Sequence, residues 1–198
     1  MASLGSWREI LQSALQSHKH LKHTQHLQLA TVRADGRPAN RTLVFRGFVD
    51  GTDKVQFTTD FRSQKVEEMK HCPFGEICYY FSESWEQFRI NGILELISST
   101  ESDPLKKALR EKAWFDSSPR LRASFGSPYP GHPKTSEIQL PKLDSSQGPL
   151  DNFCVLTLDP KEVDYYDAKK GRRIIFKLLA KQSDDDANSV WSQQEVNP

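Results

Sequence analysis

Three turn pairs, Asp35-Gly36, Asp50-Gly51 and Lys170-Gly171, each stand between runs rich in β-branched and aromatic residues. Glycine supplies the positive φ that tight hairpin turns need, so a chain punctuated this way is constrained towards antiparallel strands with short connections. Leu27 to Arg33, Arg41 to Arg46, Val55 to Thr59, Glu76 to Phe81 and Trp85 to Ile97 read as five strands before residue 98. Gly92, inside the fifth, marks a bulge or a close backbone approach. Strands resume at Phe153 to Leu158, Glu162 to Tyr166 and Arg172 to Leu179. Such a meander closes towards a barrel, and the predicted class is mainly β with flanking helices (α+β).

The helices have their own signals. Ser6-Trp7-Arg8-Glu9 is a capping-box pattern, and Trp7, Ile10, Leu11, Ala14 and Leu15 follow at helical spacing. Asp103-Pro104 starts a helix that runs to about Trp114. Between them, Asp60 stops the third strand and a short helix begins, with Ser63 and Lys65 in its first turn and Val66 and Met69 on its buried side. A helix N-terminus offers free N–H groups and a positive dipole end. Lys65 and Ser63 there, with Arg41 on a neighbouring strand, would seat a phosphate dianion; two ordinary strands bearing solvated basic residues are the plainer alternative. Arg41 shares a strand face with Leu43 and Phe45, and Thr42, Val44 and Arg46 take the other. Gln87 and Arg89 likewise oppose Phe88 and Ile90.

Composition narrows the function. With 27 basic and 26 acidic residues the net charge is +1, which argues against a nucleic-acid partner held by a general basic field. No apolar run approaches membrane-spanning length, and no secretory signal is visible at the start. Cys72, Cys78 and Cys154 lack metal-ligand spacing and suit a reducing compartment, so the predicted location is the cytoplasm, with a short organellar leader left open. His18, His20, His23 and His26 lie in a polar connector without Cys or carboxylate at useful spacing, and read as a solvated linker rather than a metal site. Residues 116–151 are rich in Pro, Ser and Gly and read as a long irregular segment. One domain is expected over 1–180, followed by a polar, mobile tail over 181–198.

The Arg-Thr-Leu-Val-Phe-Arg strand, the Phe-Thr-Thr strand, the Ser-x-Lys helix start and Gln87 five residues before Gly92 together resemble the pyridoxine/pyridoxamine 5′-phosphate oxidase family, most of all its short plant-type form. The resemblance implies an antiparallel FMN-binding split β-barrel, a homodimer with flavin at the subunit interface, a phosphorylated pyridine as substrate and dioxygen as oxidant. It implies that Arg41, Ser63 and Lys65 hold the FMN phosphate. The Thr42, Leu43, Val44 and Phe45 backbone would run beside the flavin ring, Thr58 and Thr59 would face the cofactor, and Gln87 and Tyr166 would touch the ring. Gln64 stands where the family has a second basic residue, and Arg62 is the candidate for the missing charge. For the substrate, the resemblance points to Arg46, Trp114, Arg122 and Arg172, with Arg172 also over the reacting edge. Ser118 replaces a family arginine, and Ile174 and Phe176 replace the last two members of an Arg-x-His-x-Arg pattern; an alternative register would use Arg173. Two other functions fit the same residues: a split barrel that holds FMN, haem or pyridoxal phosphate without turnover, and a flavin reductase with another electron donor.

Overall fold

The computed structural model describes residues 5–134, 140–180 and 189–198. The first helix, α1 (Trp7–Ser17), carries the reciprocal cap: Ser6 Oγ accepts from Glu9 N, and the Glu9 carboxylate accepts from Ser6 N at 2.7 Å. Trp7, Leu11 and Ala14 bury its apolar face in the main core. His18, which ends α1, is buried too, with ring Nδ1 2.7 Å from the Ala14 carbonyl and the ring against Phe81. His18 is thus a packing residue, which corrects the solvated-linker reading at that position.

Among the described residues eight strands follow: β1 (His26–Val32), β2 (Pro38–Val44), β3 (Val55–Asp60), β4 (Phe74–Phe81), β5 (Glu86–Ile97), β6 (Phe153–Asp167), β7 (Arg172–Ala180) and β8 (Val190–Val196). They form one antiparallel sheet in the order β2-β1-β4-β5-β6-β7-β8, with β3 attached to β6. Its inner face carries Leu27, Leu29, Ile77, Tyr79, Phe88, Ile90, Val163 and Phe176, all buried in one core. The turn pairs at Gly36 and Gly171 make the β1–β2 and β6–β7 hairpins, with φ of 81° and 60°.

Asp50-Gly51 also turns, with Gly51 at φ 70° and Val49 N donating to Lys54 O at 2.9 Å, but the strands it joins separate. Beyond a short stem, where Phe48 bridges Val55, Arg46 N donates to Gln56 O and Gln56 N to Gly47 O, both at 2.9 Å, β2 stays with β1 and β3 goes on with β6. The run that carries Arg41 thus meets the next run at the hairpin stem, through Arg46 and Gln56, while Arg41 itself stands across from Leu29 of β1. Val55, Gln56 and Phe57 are buried in succession, so β3 is covered on both faces and belongs inside the closure rather than on a hairpin edge.

Two expected strands merge into the long β6, which passes through Pro160. Proline is tolerated there because the ladder shifts register between Asn91 and Gly92, opposite Pro160. A Cβ on Gly92 would meet the Asp159 carbonyl carbon at 2.8 Å, so only glycine fits this bend. The expected mobile tail is corrected over its last part: Val190–Val196 pairs with β7, and Trp191 donates to Asp53 Oδ2 at 2.9 Å and packs edge-on against Trp7. Residues 181–188 lie outside the described residues.

The remaining helices are α2 (Gln64–His71), α3 (Pro104–Phe115), capped by Asp103, and α4 (Pro119–Ser124), capped by Ser118. Helix α4 falls inside the segment read as irregular; its Ser-Pro start is a cap signal that the surrounding Pro-Ser composition masks. A second core holds Ala113, Trp114, Phe125, Phe153, Val155 and Ile97.

Candidate functional site

The β3–α2 junction gathers the first group of predicted residues. Ser63 is the N-cap residue of α2, but its Oγ donates to Asp60 O at 2.7 Å rather than capping the helix. Lys65 folds back over the turn, and its Nζ donates to Thr59 Oγ1 at 3.1 Å and Ser63 Oγ at 2.9 Å. Among the described residues no carboxylate lies within ion-pair distance of this ammonium. Burial, together with Arg41 close by, pushes the Lys65 pKa below its ordinary value. Gln64 is exposed beside it.

Arg41 reaches the same place from β2. Its Nη2 donates to Glu68 Oε2 at 2.6 Å, and its Nη1 donates to Leu29 O at 3.2 Å and to Thr31 Oγ1. Glu68 is buried on α2, one turn after Lys65, and also accepts from Thr31 Oγ1 at 2.6 Å. Three of the five guanidinium donors are thus engaged among the described residues, and two remain. The seat therefore presents two cations and two hydroxyls, with one cation lacking an acid. That donor set fits a phosphate, which offers several acceptor oxygens and close to two negative charges. Arg62 does not add to it: it forks onto Asp60 at 2.8 Å, donates to Ser127 O at 3.0 Å and lies over the Tyr129 ring.

A cleft of about 500 Å³ opens between the β2–β3 connection and the C-terminal half of α3. Val44, Phe45, Arg46 and Thr58 line it from one side, and Lys112, Asp116 and Ser117 from the other. Arg46 is exposed at the cleft, where partial desolvation lowers its pKa, and among the described residues no carboxylate pairs with its guanidinium. Thr58 and Thr59 point to different places because a strand alternates: Thr59 goes to Lys65 and Thr58 to the cleft.

The outer sheet face carries a third group. Gln87 stands across from Tyr166, and Tyr166 across from Arg173, so the three form one row over β5, β6 and β7. Arg173 donates to Asp164 at 3.0 and 2.8 Å, and Arg89 joins the same carboxylate, which is held below the usual Asp range by those two arginines against its burial. Thr42 lies exposed on the outer face of β2, while Leu43 turns inward onto the core.

A model of the pyridoxamine 5′-phosphate oxidase FMN-binding domain matches residues 4–98. Over 194 residues the chain is 46% identical to pyridoxine/pyridoxamine 5′-phosphate oxidase 2 of Arabidopsis thaliana, spanning 97% of this chain and 96% of that one. The chain belongs to the pyridoxine/pyridoxamine 5′-phosphate oxidase family. A crystallised FMN-binding protein of Nostoc punctiforme, related to pyridoxamine 5′-phosphate oxidase, superposes with a TM-score of 0.87 at 39% identity, covering 99% of this chain and all of that one. A Burkholderia lata protein solved with tetrahydrophenazine-1-carboxylic acid shares the fold at 18% identity and a TM-score of 0.68, covering 100% and 99% of the two chains. The split-barrel fold, the oxidoreductase class and FMN as cofactor accord with this membership.

Against the family pattern the predicted residues divide. The seat joins Arg41, Ser63, Lys65 and Thr59, and the cleft joins Val44, Phe45, Arg46 and Thr58. Trp114 and Arg122 do not reach either. Trp114 is fully buried and donates to Gln147 O at 2.7 Å, and Arg122 lies over its ring and donates to Ser145 O at 3.1 Å. Arg172 is on the inner face, pairs with Glu195 at 3.1 Å and lines a separate cavity with α1 residues. Arg172, expected over the substrate's reacting edge, stands on the face opposite Gln87 and Tyr166, because strand alternation gives their face to Arg173, Ile175 and Lys177. Glu68 and Thr31, which fix Arg41, were not legible as site residues, and neither was Lys112. Glu68 had a signal, since it follows Lys65 by three residues on one helix face. Among the described residues no group of His, Cys, Asp and Glu could hold a metal, and no helix is long and apolar enough to cross a membrane.

Proposed function

We propose that the protein is an FMN-dependent oxidase that converts pyridoxine 5′-phosphate or pyridoxamine 5′-phosphate to pyridoxal 5′-phosphate in the cytoplasm, in salvage of vitamin B6. The observation that carries this reading is the seat at the start of α2, where Lys65 has hydroxyl partners but no acid among the described residues. When bound, FMN supplies the hydride acceptor for the substrate's 4′ carbon, and dioxygen is the final oxidant. The alcohol substrate and O2 give the aldehyde and H2O2; the amine also consumes water and releases ammonia.

The chain's own residues bind and orient. Lys65, Ser63, Thr59 and Arg41 would hold the cofactor phosphate, and the Thr42 to Phe45 backbone would line the rest of the cofactor site. Arg46, which lines the cleft without a carboxylate partner among the described residues, takes the substrate phosphate. It sits beyond Arg41 along the chain with Glu68 engaging only the latter, so the two guanidinium groups serve different phosphates. The Gln87–Tyr166–Arg173 row faces outward, away from the core. It would complete the site in a homodimer, where one protomer's row would cover the flavin held by its partner, and Arg173 rather than Arg172 would then be the arginine over the substrate ring. Fixing substrate and cofactor in one relative orientation would lower the barrier by removing orientational freedom before reaction.

The test is the absorption spectrum of the purified protein, followed by oxygen uptake with pyridoxine 5′-phosphate. A flavin spectrum with substrate-dependent uptake is expected. A colourless protein that gains no absorbance on dialysis against FMN refutes the reading. A second reading, a flavin-holding module without turnover, is favoured by one feature: Ile175 puts an aliphatic side chain where the family pattern, in the Arg173 register, has histidine. A flavin spectrum without oxygen uptake would select it.

A further inference from the structure

We propose that Lys112 is a second cation for the substrate phosphate and that Asp116 restrains it, so that this pair sets how tightly the enzyme holds phosphorylated substrate. The proposal rests on the oxidase reading above and adds residues that the family pattern does not supply. It starts from a shortage. A phosphate dianion in the cleft meets one uncommitted guanidinium, that of Arg46. The family's other contacts come from the end of α3 and the segment after it, and here those positions are engaged elsewhere. Ser118 Oγ caps α4 by accepting from Leu121 N at 3.3 Å. Trp114 is buried in the second core and bonded to Gln147 O, and Arg122 is buried over its ring and bonded to Ser145 O. Freeing them would disrupt that core.

Helix geometry then decides which residue of α3 reaches the cleft. Leu109, Lys112, Ala113 and Asp116 are spaced i, i+3, i+4 and i+7, which is one helix face, and all four line the cavity. Trp114 lies on the other side, against Phe125 and Phe153. Leu109 and Ala113 give an apolar floor, and Lys112 is the cation that this face contributes. Its one ion-pair partner among the described residues is Asp116, at 3.3 Å, and the two side chains are 63% and 67% exposed. Such an exposed pair contributes little, so exchanging the carboxylate for a phosphate costs little, while a dianion shared with Arg46 offers a stronger contact. Asp116 remains at the rim as a like charge to the phosphate. It therefore weakens substrate binding twice, by competing for Lys112 and by repulsion.

The experiment compares wild type, Lys112→Ala, Asp116→Asn and, as a control, Lys107→Ala, an exposed α3 lysine that lies off this face. All are first titrated with FMN, and equal affinity is expected. Oxygen uptake is then measured against pyridoxine 5′-phosphate, and binding of pyridoxal 5′-phosphate by equilibrium dialysis, with pyridoxal as the phosphate-free control. Lys112→Ala should raise KM and the dialysis Kd about tenfold with kcat little changed, the loss of one charge-assisted contact made equally in ground and transition states. Asp116→Asn should lower both about two- to threefold, an improvement that a merely structural role would not produce. Neither variant should alter pyridoxal binding, and Lys107→Ala should match wild type. An active wild type with unchanged KM in Lys112→Ala, or equal losses for pyridoxal, overturns this inference alone. A wild type that neither turns over nor binds pyridoxal 5′-phosphate overturns the oxidase reading and this inference with it.

Discussion

Replacing Lys65 by alanine separates two roles that the seat assigns to one ammonium. In the folded apoprotein Lys65 is desolvated and close to Arg41, and its partners are the Thr59 and Ser63 hydroxyls at 3.1 and 2.9 Å. Two neutral acceptors compensate poorly for lost hydration, so the charge is held at some cost until an anion arrives. In the complex the ammonium gains a charge-assisted contact worth about 1.5–3 kcal/mol. Lys65→Ala should therefore weaken FMN binding by about 10- to 150-fold, at roughly 1.4 kcal/mol per factor of ten. Riboflavin, which lacks the phosphate, should lose little. The pH dependence has a defined sign. With the folded Lys65 pKa below its unfolded value, the unfolded chain binds more protons between the two, so apoprotein stability from this group rises with pH towards the ordinary lysine range. Lys65→Ala removes that rise, and bound phosphate, which restores the pKa, removes it too. Fluorescence titration of FMN and riboflavin, with urea melts of both apoproteins at pH 7 and 9.5, measures all of this. An unchanged FMN dissociation constant, or an equal loss for riboflavin, would refute the phosphate seat.

Glu68→Ala should lower apoprotein stability by about 2–4 kcal/mol in urea unfolding: it strips Arg41 of its buried partner, although Arg41 keeps some solvent, which holds the loss below that of a fully buried pair. Gly92→Ala should cost about 2–3 kcal/mol by the same assay, because the new Cβ is driven into the Asp159 peptide across the β5–β6 bend; a neutral change would mean the bend relaxes freely. At equal flavin occupancy, Arg173→Ala should abolish most oxygen uptake while Arg172→Ala leaves most of it, since Arg173 shares the Gln87–Tyr166 row and Arg172 is tied to Glu195; the reverse order would return the reacting edge to Arg172.

The fold was legible wherever a local signal and its tertiary use coincide. The Ser6–Glu9 box, the Asp103-Pro104 start and the Gly36 and Gly171 hairpins each need only their own residues, and each formed as read. Asp50-Gly51 shows the limit. Its turn formed, but no local feature states that β3 would leave β2 for β6, because that choice is made by a partner nearly one hundred residues away. The β8 strand was hidden for a related reason. Val190–Val196 is polar on average and is held by pairing with β7 and by Trp191 reaching Asp53 and Trp7, contacts that composition cannot register.

The site follows the same logic at the scale of single residues, and Arg172 and Arg173 make the point. Adjacent arginines at the start of a strand are equivalent in sequence, and a one-residue choice of register sends one to each face. The choice is settled by the hydrophobic partners of the strand: Ile174 and Phe176 are buried, so Arg172 turns inward with them and Arg173 outward with Ile175 and Lys177. The alternation was present in the sequence, in the burial that Ile174 and Phe176 demand of one face. Aligning to a family pattern that places histidine and arginine at those two positions ran against it, since neither residue belongs in an apolar core. The same reasoning applies at α3, where Trp114 is matched to a family tyrosine by position while its bulk and apolar ring commit it to the second core. A motif position can be carried over only when the side chain now standing there can tolerate the environment that the old one faced. Arg41, Ser63 and Lys65 meet that condition, because each still faces hydroxyls, a free dipole end or a carboxylate. Trp114 and Arg172 do not; Arg173, one strand position over, stands on the face of Gln87 and Tyr166, and Lys112, two helix positions before Trp114, lines the cleft.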